Sequence, residues 1–178
     1  QRFSDPLDVS CDVFYEMVAQ YRSGVPLAYI VEHVPFCGYQ FHVSSGVLIP
    51  RIETEWLMEQ MVSWVQAKYE KAPFVCVECG VGSGVMTLVL AKAFPNAVFW
   101  GCDINAKAVA LAQRNADALG VSNVQFVHGD FFALEEQWSS CYDTEVPCLF
   151  VSNPPYIVTN DLVTLDASVR DYEPHDAL

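Results

Sequence analysis

The chain has 178 residues, enough for one domain with a substantial core and at most a small appendage. Nine basic residues against 22 acidic ones give a net charge of −13 at pH 7, which disfavours the phosphate backbone of nucleic acid as a partner. Because 52% of the residues are apolar and no apolar run reaches the roughly 18 residues of a bilayer span, we expect a globular protein with no membrane role.

The cysteines and the first residues bear on the cellular compartment. Seven is an odd number of cysteines, and several of them lie in or beside apolar runs, which favours a reduced intracellular protein. No signal peptide is recognisable, so we expect a cytoplasmic protein, or an organellar one if a transit peptide precedes the chain. Cys76 and Cys79 match the C-x-x-C pattern but would point to opposite faces of a strand, so no metal site is predicted.

The first third of the chain predicts two helices and a hairpin. Apolar residues at helical spacing predict a helix over residues 9–22. Alternation around Gly38 predicts a short hairpin over 36–43, and helical spacing returns over 54–69. We divide the chain into an N-terminal helical remnant with a linker hairpin, residues 1–52, and a larger domain, residues 53–178.

From residue 74 the predicted strands and helices alternate. Continuous apolar runs predict four strands, over residues 74–79, 97–102, 124–127 and 148–152. Helices are predicted over 86–94 and 106–119, and an acidic helical segment precedes the last strand. This order is typical of an α/β doubly wound fold with a parallel sheet covered on both faces.

The turn after the first of these strands is rich in glycine. Its sequence, Gly80-Val81-Gly82-Ser83-Gly84, places a glycine at every second position between a strand and a helix. The G-x-G-x-x-G spacing of dinucleotide-binding turns is absent, so a pyrophosphate cofactor is not indicated. We take these five residues as candidates for ligand binding at the carboxyl edge of the sheet.

Acidic residues end the next two strands. Asp103 is placed to accept hydrogen bonds from two ribose hydroxyls, and Asp130 to accept from an adenine amino group while Phe131 packs on the ring. A helix N-cap is the alternative role for either aspartate alone. With the glycine turn they predict a nucleoside site without a phosphate cradle, for which S-adenosylmethionine is the leading cofactor candidate.

The fourth strand runs into Asn153-Pro154-Pro155-Tyr156. Two prolines hold the backbone extended, so that the Asn153 side-chain oxygen and nearby carbonyls form a fixed set of acceptors for a planar –NH2 group. Tyr156 is placed to stack on that group. A plain proline-rich turn is the alternative.

These motifs, in this order, resemble the class I amino-group methyltransferases with a Rossmann-like sheet. The flanking runs 26–30, 46–55 and 169–174 are similar to the family that methylates a glutamine of peptide chain release factors, over nearly all of residues 26–178. The resemblance implies cofactor binding by Gly80 to Gly84, Asp103, Asp130, Phe131 and Asn153, with catalysis by Asn153, Pro154, Pro155 and Tyr156.

Three departures and a difference in length accompany the resemblance. Family members usually have Asp where Glu78 stands, Pro where Ile52 stands and often Trp where Phe131 stands, and we expect these changes to tune cofactor affinity without abolishing it. The resemblance also implies a fuller N-terminal helical domain and a sheet of seven strands. We therefore expect the methyltransferase domain to be truncated at its C-terminal end.

Three functions are carried forward. The leading hypothesis is transfer of a methyl group from S-adenosylmethionine to the side-chain amide nitrogen of a release factor glutamine. A ribosomal protein is the alternative glutamine substrate. Because DNA adenine methyltransferases share the Asn-Pro-Pro-Tyr motif, the second hypothesis is a nucleic-acid amino-group methyltransferase that acts on adenine N6 or on cytosine. The third is a non-catalytic cofactor-binding or scaffold fragment.

For Arg51, Glu53 and Glu55 two accounts stay open: a helix start with Arg51 paired to a neighbouring glutamate, or a place beside the cofactor.

Overall fold

The structure, a computed structural model, describes residues 10–69, 72–134, 136 and 145–178. Its N-terminal part consists of three helices and an antiparallel hairpin, which are α1 Cys11–Arg22, α2 Leu27–Val31, β1 His33–Phe36, β2 Tyr39–His42 and α3 Ile52–Tyr69. The two predicted helices are confirmed as α1 and α3, and the predicted hairpin is confirmed as β1 and β2. Helix α1 begins at Cys11 because Ser10 caps it, its Oγ accepting from the Val13 N–H. Helix α2 was not predicted, since five residues are too few to show a helical period.

The larger part alternates strand and helix as predicted. Its elements are β3 Val75–Cys79, α4 Val85–Ala93, β4 Val98–Asp103, α5 Ala106–Leu119, β5 Val124–His128, β6 Cys148–Ser152 and α6 Ala167–Arg170. Short 3-10 helices cover Thr159–Thr164 and His175–Ala177. The four strands form one parallel sheet in the order β5-β4-β3-β6, so the predicted α/β class with a Rossmann-like parallel sheet is confirmed.

The main core lies on one face of this sheet. It joins Met58 of α3, Leu88 of α4 and Ala116 of α5 to Cys76 and Phe99 of the strands, all nearly inaccessible to solvent. The opposite face carries a smaller cluster around Val77 and Cys102. The acidic segment predicted to be helical, between β5 and β6, falls largely outside the described residues. Helices α3, α4 and α5 therefore share one core on a single side of the sheet.

The strand order positions the functional site. From β3 the chain moves outward through β4 to β5, and then returns to place β6 on the other side of β3. Ligands of open α/β sheets bind outside the carboxyl ends of the strands at such a reversal. The ends of β3, β4 and β6 carry the glycine turn, Asp103 and Asn153, so the topology brings all three to one edge.

Within the described ranges, no helix combines the length and the apolar content that a bilayer crossing requires.

Candidate functional site

The glycine turn is held against the end of β4 by its own backbone. The N–H groups of Gly80 and Val81 both donate to the Cys102 carbonyl, at 2.8 and 3.1 Å. Gly80, Gly82 and Gly84 have φ of +76°, +53° and +81°, the left-handed region in which a side chain is strained. The alternating glycines are therefore required by the backbone conformation of the turn.

Only part of the turn faces the crevice that lies at the carboxyl ends of the strands. Gly80 and Gly82 line it, whereas Val81 and Ser83 are buried and Gly84 packs on α5, where a Cβ would lie 3.0 Å from the Ala112 Cβ. Of the five predicted residues, two therefore line the crevice. Val81 and Ser83 line a smaller adjoining pocket with them, and Gly84 packs behind the turn.

Gly101 is a supporting residue that the sequence analysis missed. A Cβ at this position of β4 would lie 2.4 Å from the Val81 Cγ1 and within 3.0 Å of the Phe126 ring. Only glycine lets the turn lie this close to the strand. The signal was present, because a glycine in the interior of a strand often marks a close backbone approach.

Asp103 joins the turn to the start of α5. Its Oδ2 accepts from the Gly82 N–H and its Oδ1 from the Asn105 N–H, both at 2.9 Å. Each carboxylate oxygen has about two acceptor positions, so one on each remains for a ligand hydroxyl. Asp103 lines the crevice and is half-buried. The arrangement fits the predicted pair of hydroxyl donors.

Asp130 and Phe131 differ in their placement. Phe131 is half-buried and lines the crevice, and its ring contacts Phe132 and Phe150 edge to face. Asp130 is exposed, is not among the described residues that line the crevice, and accepts from the Phe132 N–H at 2.8 Å. Its side chain thus caps the following turn, the alternative role noted above, and its contact with an adenine stays a prediction.

The Asn153 to Tyr156 run divides two adjoining clefts. We call the crevice above, lined by Gly80, Gly82, Asp103, Phe131, Asn153 and Pro155, the first cleft. The second cleft is lined by Arg51, Glu53, Leu57, Asn153, Pro154 and Tyr156. Their volumes are about 190 and 380 Å³. They share residues including Leu48 and Asn153, so together they reach the size of ordinary ligand sites, about 300–1,000 Å³.

The atoms of this run are available to a ligand. Within the described part of the chain, the half-buried Asn153 side chain makes no hydrogen bond to another protein group. Tyr156 is 76% exposed, and its N–H donates to the Leu178 carbonyl at 2.8 Å. The run therefore has a fixed backbone, an unengaged amide and a ring open to the second cleft.

Glu78 is buried beneath the turn and does not line the first cleft. Its Oε2 accepts from both the N–H and the hydroxyl of Thr87, in the first turn of α4. Burial in the protein interior raises the pKa of Glu78 to about 8, although the two Thr87 hydrogen bonds act in the opposite direction. The glutamate at this position thus anchors a helix to the base of the site.

The structure corrects one account of residues 51–55. Arg51 does not pair with Glu53 or Glu55: its Nη2 lies 2.7 Å from Oε1 of Glu173. The Glu55 carboxylate instead accepts from the Cys37 N–H. Arg51 and Glu53 both line the second cleft, beside Asn153. The partner could not be found from the sequence, because 122 positions separate Arg51 from Glu173.

Asn115 is a further residue that the sequence analysis missed. It lies 1% exposed on α5, and its Oδ1 accepts from the His42 N–H at 2.7 Å. Its Nδ2 donates to the carbonyls of His42 and Ser83, at 3.0 and 2.8 Å. A polar residue on the apolar face of a predicted helix was the available signal, since buried amides are nearly always bonded. Asn115 ties the hairpin and the glycine turn to one helix.

Comparison with known proteins places the chain in a family. The family described as "Methyltransferase domain" matches residues 72–170, more than half of the chain. The chain belongs to the methyltransferase domain family. The match begins just before β3 and ends in α6, so it contains the glycine turn, Asp103, Phe131 and the Asn153 to Tyr156 run.

Relatives of this methyltransferase domain carry a narrower name. This chain is 40% identical to the release factor glutamine methyltransferase of Geobacter sulfurreducens, over 91% of this chain and 52% of that protein. It is also 40% identical to that of Chlorobaculum tepidum, over 87% and 53%. The resemblance inferred from the motifs is confirmed. The chain spans about half the length of the curated relatives it matches.

Among solved structures, wild-type Trm5b from Pyrococcus abyssi matches with a TM-score of 0.45 and 19% identity, over 56% of this chain and 28% of that one.

In the described residues of this methyltransferase domain, no group of three or more His, Cys, Asp or Glu side chains is arranged to hold a metal ion.

Proposed function

We propose that this chain carries the cofactor and acceptor sites of an S-adenosylmethionine-dependent protein-glutamine methyltransferase that acts on a peptide chain release factor. The observation that carries the proposal is the position of Asn153, which lines both clefts and thus stands where a donor in one would meet an acceptor in the other. The 40% identity to proteins named for this reaction supports the substrate class. The division of the chain at residues 52 and 53, and the cytoplasmic or organellar location, belong to the same proposal.

The first cleft has the chemistry that the cofactor needs. Asp103 retains acceptor positions for two hydroxyls, Phe131 offers a ring edge or face to a base, and Gly80 and Gly82 leave the backbone uncovered. A nucleoside with a sulfonium side chain therefore fits these residues better than a pyrophosphate, for which no cradle is present in the turn. When bound, S-adenosylmethionine supplies an electrophilic methyl group.

The second cleft has to make an amide nitrogen nucleophilic. The nitrogen lone pair is delocalised onto the carbonyl, and the barrier to twisting an amide is about 18–20 kcal/mol. We assign the Asn153 side-chain oxygen and the Pro154 carbonyl to accept the two N–H bonds of the glutamine. In a dry site each such preorganised interaction contributes about 3 kcal/mol, and alignment of the reactants about 7–11 kcal/mol.

The chemistry needs no histidine base. Once the nitrogen has bonded the methyl group it carries a positive charge, and one of its two protons is then acidic enough to leave to water. We assign Pro155 to hold the backbone of the run and Tyr156 to pack on the glutamine amide, since its ring is open to the second cleft. Positioning and hydrogen bonding are thus the contribution of this chain.

The decisive experiment is methyl transfer to a release factor. The full chain is incubated with methyl-labelled S-adenosylmethionine and the release factor, and mass spectrometry locates the label. We expect it on a glutamine side chain, and a loss of about a hundredfold or more in kcat for Asn153→Ala, because one preorganised contact is worth that much. Asn160→Ala, an exposed asparagine outside both clefts, is the matched control.

Other outcomes distinguish the alternatives. Label on a ribosomal protein glutamine, with none on a release factor, would keep the chemistry and change the substrate. Methylation of adenine in DNA would replace the proposal with the second hypothesis. If the wild-type chain bound S-adenosylmethionine but methylated none of these acceptors, it would be a cofactor-binding scaffold and the proposal would be wrong. If Asn153→Ala left methylation unchanged, the role assigned to Asn153 would be wrong.

A further inference from the structure

We propose that Glu173 is a positioning residue that sets the separation of the walls of both clefts, an inference that rests on the function proposed above. Its side chain is 1% exposed, yet both carboxylate oxygens are engaged. Oε1 pairs with the Arg51 Nη2 at 2.7 Å, and Oε2 accepts from the Ile49 N–H at 3.1 Å. Both partners belong to the segment between the hairpin and α3, here called the strap, residues 46–51.

The strap is a wall of both clefts that has no regular secondary structure of its own. Gly46 and Val47 line the first cleft, Arg51 the second, and Leu48 both. Side chains from elsewhere hold its backbone in place. The Asn105 Nδ2 donates to the Gly46 carbonyl at 2.8 Å, and the Tyr29 hydroxyl donates to the Val47 carbonyl at 2.7 Å. Glu173 holds its other end.

Glu173 joins the strap to its own segment, here called the tail, residues 173–178. Pro174 and Asp176 line the first cleft, and Ala177 lines both. The Leu178 carbonyl accepts from the N–H groups of Tyr156 and Ile157, at 2.8 and 3.0 Å. Glu173 therefore joins the strap to a segment that in turn holds the backbone next to the acceptor run.

A buried carboxylate is a costly way to join two segments. Pairing a buried carboxylate with a guanidinium seldom adds stability over well-packed apolar residues, so stability alone does not explain the contact. What the pair does provide is direction: a carboxylate with one backbone and one guanidinium donor fits a single arrangement of strap and tail. That arrangement fixes Leu48 and Asn153 relative to each other.

The test compares Glu173→Ala, Glu173→Gln and wild-type protein in the full chain. We measure the Kd for S-adenosylhomocysteine by calorimetry, kcat on the methyl acceptor, and amide hydrogen exchange of both segments. For Glu173→Ala we expect faster exchange in strap and tail together, a Kd raised about tenfold and a kcat lowered about tenfold to a hundredfold, because small misplacements are that costly. Glu173→Gln, which keeps an acceptor for the Ile49 N–H, should recover part of each loss.

The matched control is Asp171→Asn. Asp171 forms an ion pair with Arg170 at 2.7 Å, two residues from Glu173, but both side chains are well exposed and neither lines a cleft. We expect no change in any readout, since exposed pairs contribute little. Thermal unfolding confirms that each variant is folded at the assay temperature. A variant that is merely less stable lowers the active fraction without changing the Kd of the folded molecules.

Two results would overturn the inference. One is a folded Glu173→Ala protein with unchanged exchange in the strap and unchanged Kd. The other is an equal effect of Asp171→Asn. Failure of the proposed function has a different signature: wild-type protein would transfer no methyl group to a release factor, while the exchange of strap and tail would still respond to Glu173.

Discussion

Asp103 both holds the backbone of the candidate site and lines its first cleft. Its two oxygens each hold one backbone N–H, at Gly82 and at Asn105, and so set the distance between the glycine turn and α5. Each oxygen keeps about one further acceptor position, which a ligand in the first cleft can use. A carboxylate is suited to both tasks because it accepts about four hydrogen bonds and donates none.

We expect Asp103→Asn to weaken cofactor binding strongly. Asparagine has the same shape but replaces one acceptor oxygen with a donor, which faces the N–H of Gly82 or of Asn105. Hydrogen bonds to charged groups contribute about 1.5–3 kcal/mol, so the Kd for S-adenosylhomocysteine should rise at least about tenfold. Calorimetry on the folded variant measures this.

Asp130→Asn separates the two readings of the second aspartate. Because the Asp130 side chain caps the Phe132 turn outside the first cleft, we expect this variant to lose a few tenths of a kcal/mol of stability and to change the same Kd less than about threefold. A loss equal to that of Asp103→Asn would instead place Asp130 on the nucleoside, as the sequence analysis predicted.

Glu78 predicts a pH dependence of stability. Its pKa is raised by burial from 4.5 to about 8, so the folded chain binds this proton more tightly than the unfolded chain. The resulting contribution to the unfolding free energy is complete below about pH 4.5 and is lost as the pH rises through about 8. Since one pKa unit is worth about 1.4 kcal/mol, the loss amounts to a few kcal/mol.

Glu78→Gln removes this titration while it keeps the size of the side chain and an acceptor for Thr87. We expect urea unfolding of wild-type protein at pH 5.5 and 9 to differ by a few kcal/mol more than that of the variant. The exposed Glu59→Gln on α3 is the control and should follow wild type. Parallel pH curves for wild type and Glu78→Gln would show that Glu78 is ionised throughout.

At the scale of elements, Asn115 connects three parts of the fold. Helix α5 reaches β2 through two hydrogen bonds to His42 and reaches the glycine turn through one to Ser83. The hairpin and the turn have no sequence pattern in common. A buried amide with bonds to both is therefore one of the contacts that fix the N-terminal part on the sheet domain, beside the shared apolar core.

We expect Asn115→Asp to lower the unfolding free energy by about 3 kcal/mol. The substitution removes both N–H donors and places a carboxylate against two carbonyls in a site that is 1% exposed, and each buried group left unpaired costs about 1–3 kcal/mol. Gln113→Ala on the exposed face of α5 removes only one exposed bond, to Asp117, and should change stability by less than about 0.5 kcal/mol. Equal effects of the two variants would contradict this role for Asn115.

Elements with a strong period were predictable, and contacts between distant segments were not. The bounds of α5 and β6 were predicted to the residue because apolar spacing and Gly120 define the helix and a continuous apolar run defines the strand. The first cleft followed from residues at strand ends, which topology must bring together. The pairing of Arg51 with Glu173 depends instead on how two irregular segments pack, and no local pattern encodes that.

At the scale of the whole molecule, two properties bear on the choice of acceptor. The Asn-Pro-Pro-Tyr run is compatible with any planar –NH2 group, whether on an adenine or on a glutamine. The net charge of −13 disfavours an adenine in nucleic acid, because nucleic-acid affinity comes largely from the release of counterions by basic residues. Where the motif alone leaves both acceptors open, the net charge therefore favours the glutamine.

We expect no saturable binding of a 20-base-pair DNA duplex, or of single-stranded RNA, by the full chain even at about 20 mM salt, where electrostatic attraction would be strongest. Fluorescence anisotropy with a labelled oligonucleotide measures this, and a labelled release factor fragment in the same buffer is the positive control. The contrary result is specific: saturable binding whose logarithm falls linearly with the logarithm of salt concentration would reveal a local basic surface despite the net charge. In that case adenine would regain its place as an acceptor, because the geometry around Asn153 does not by itself distinguish the two amino groups.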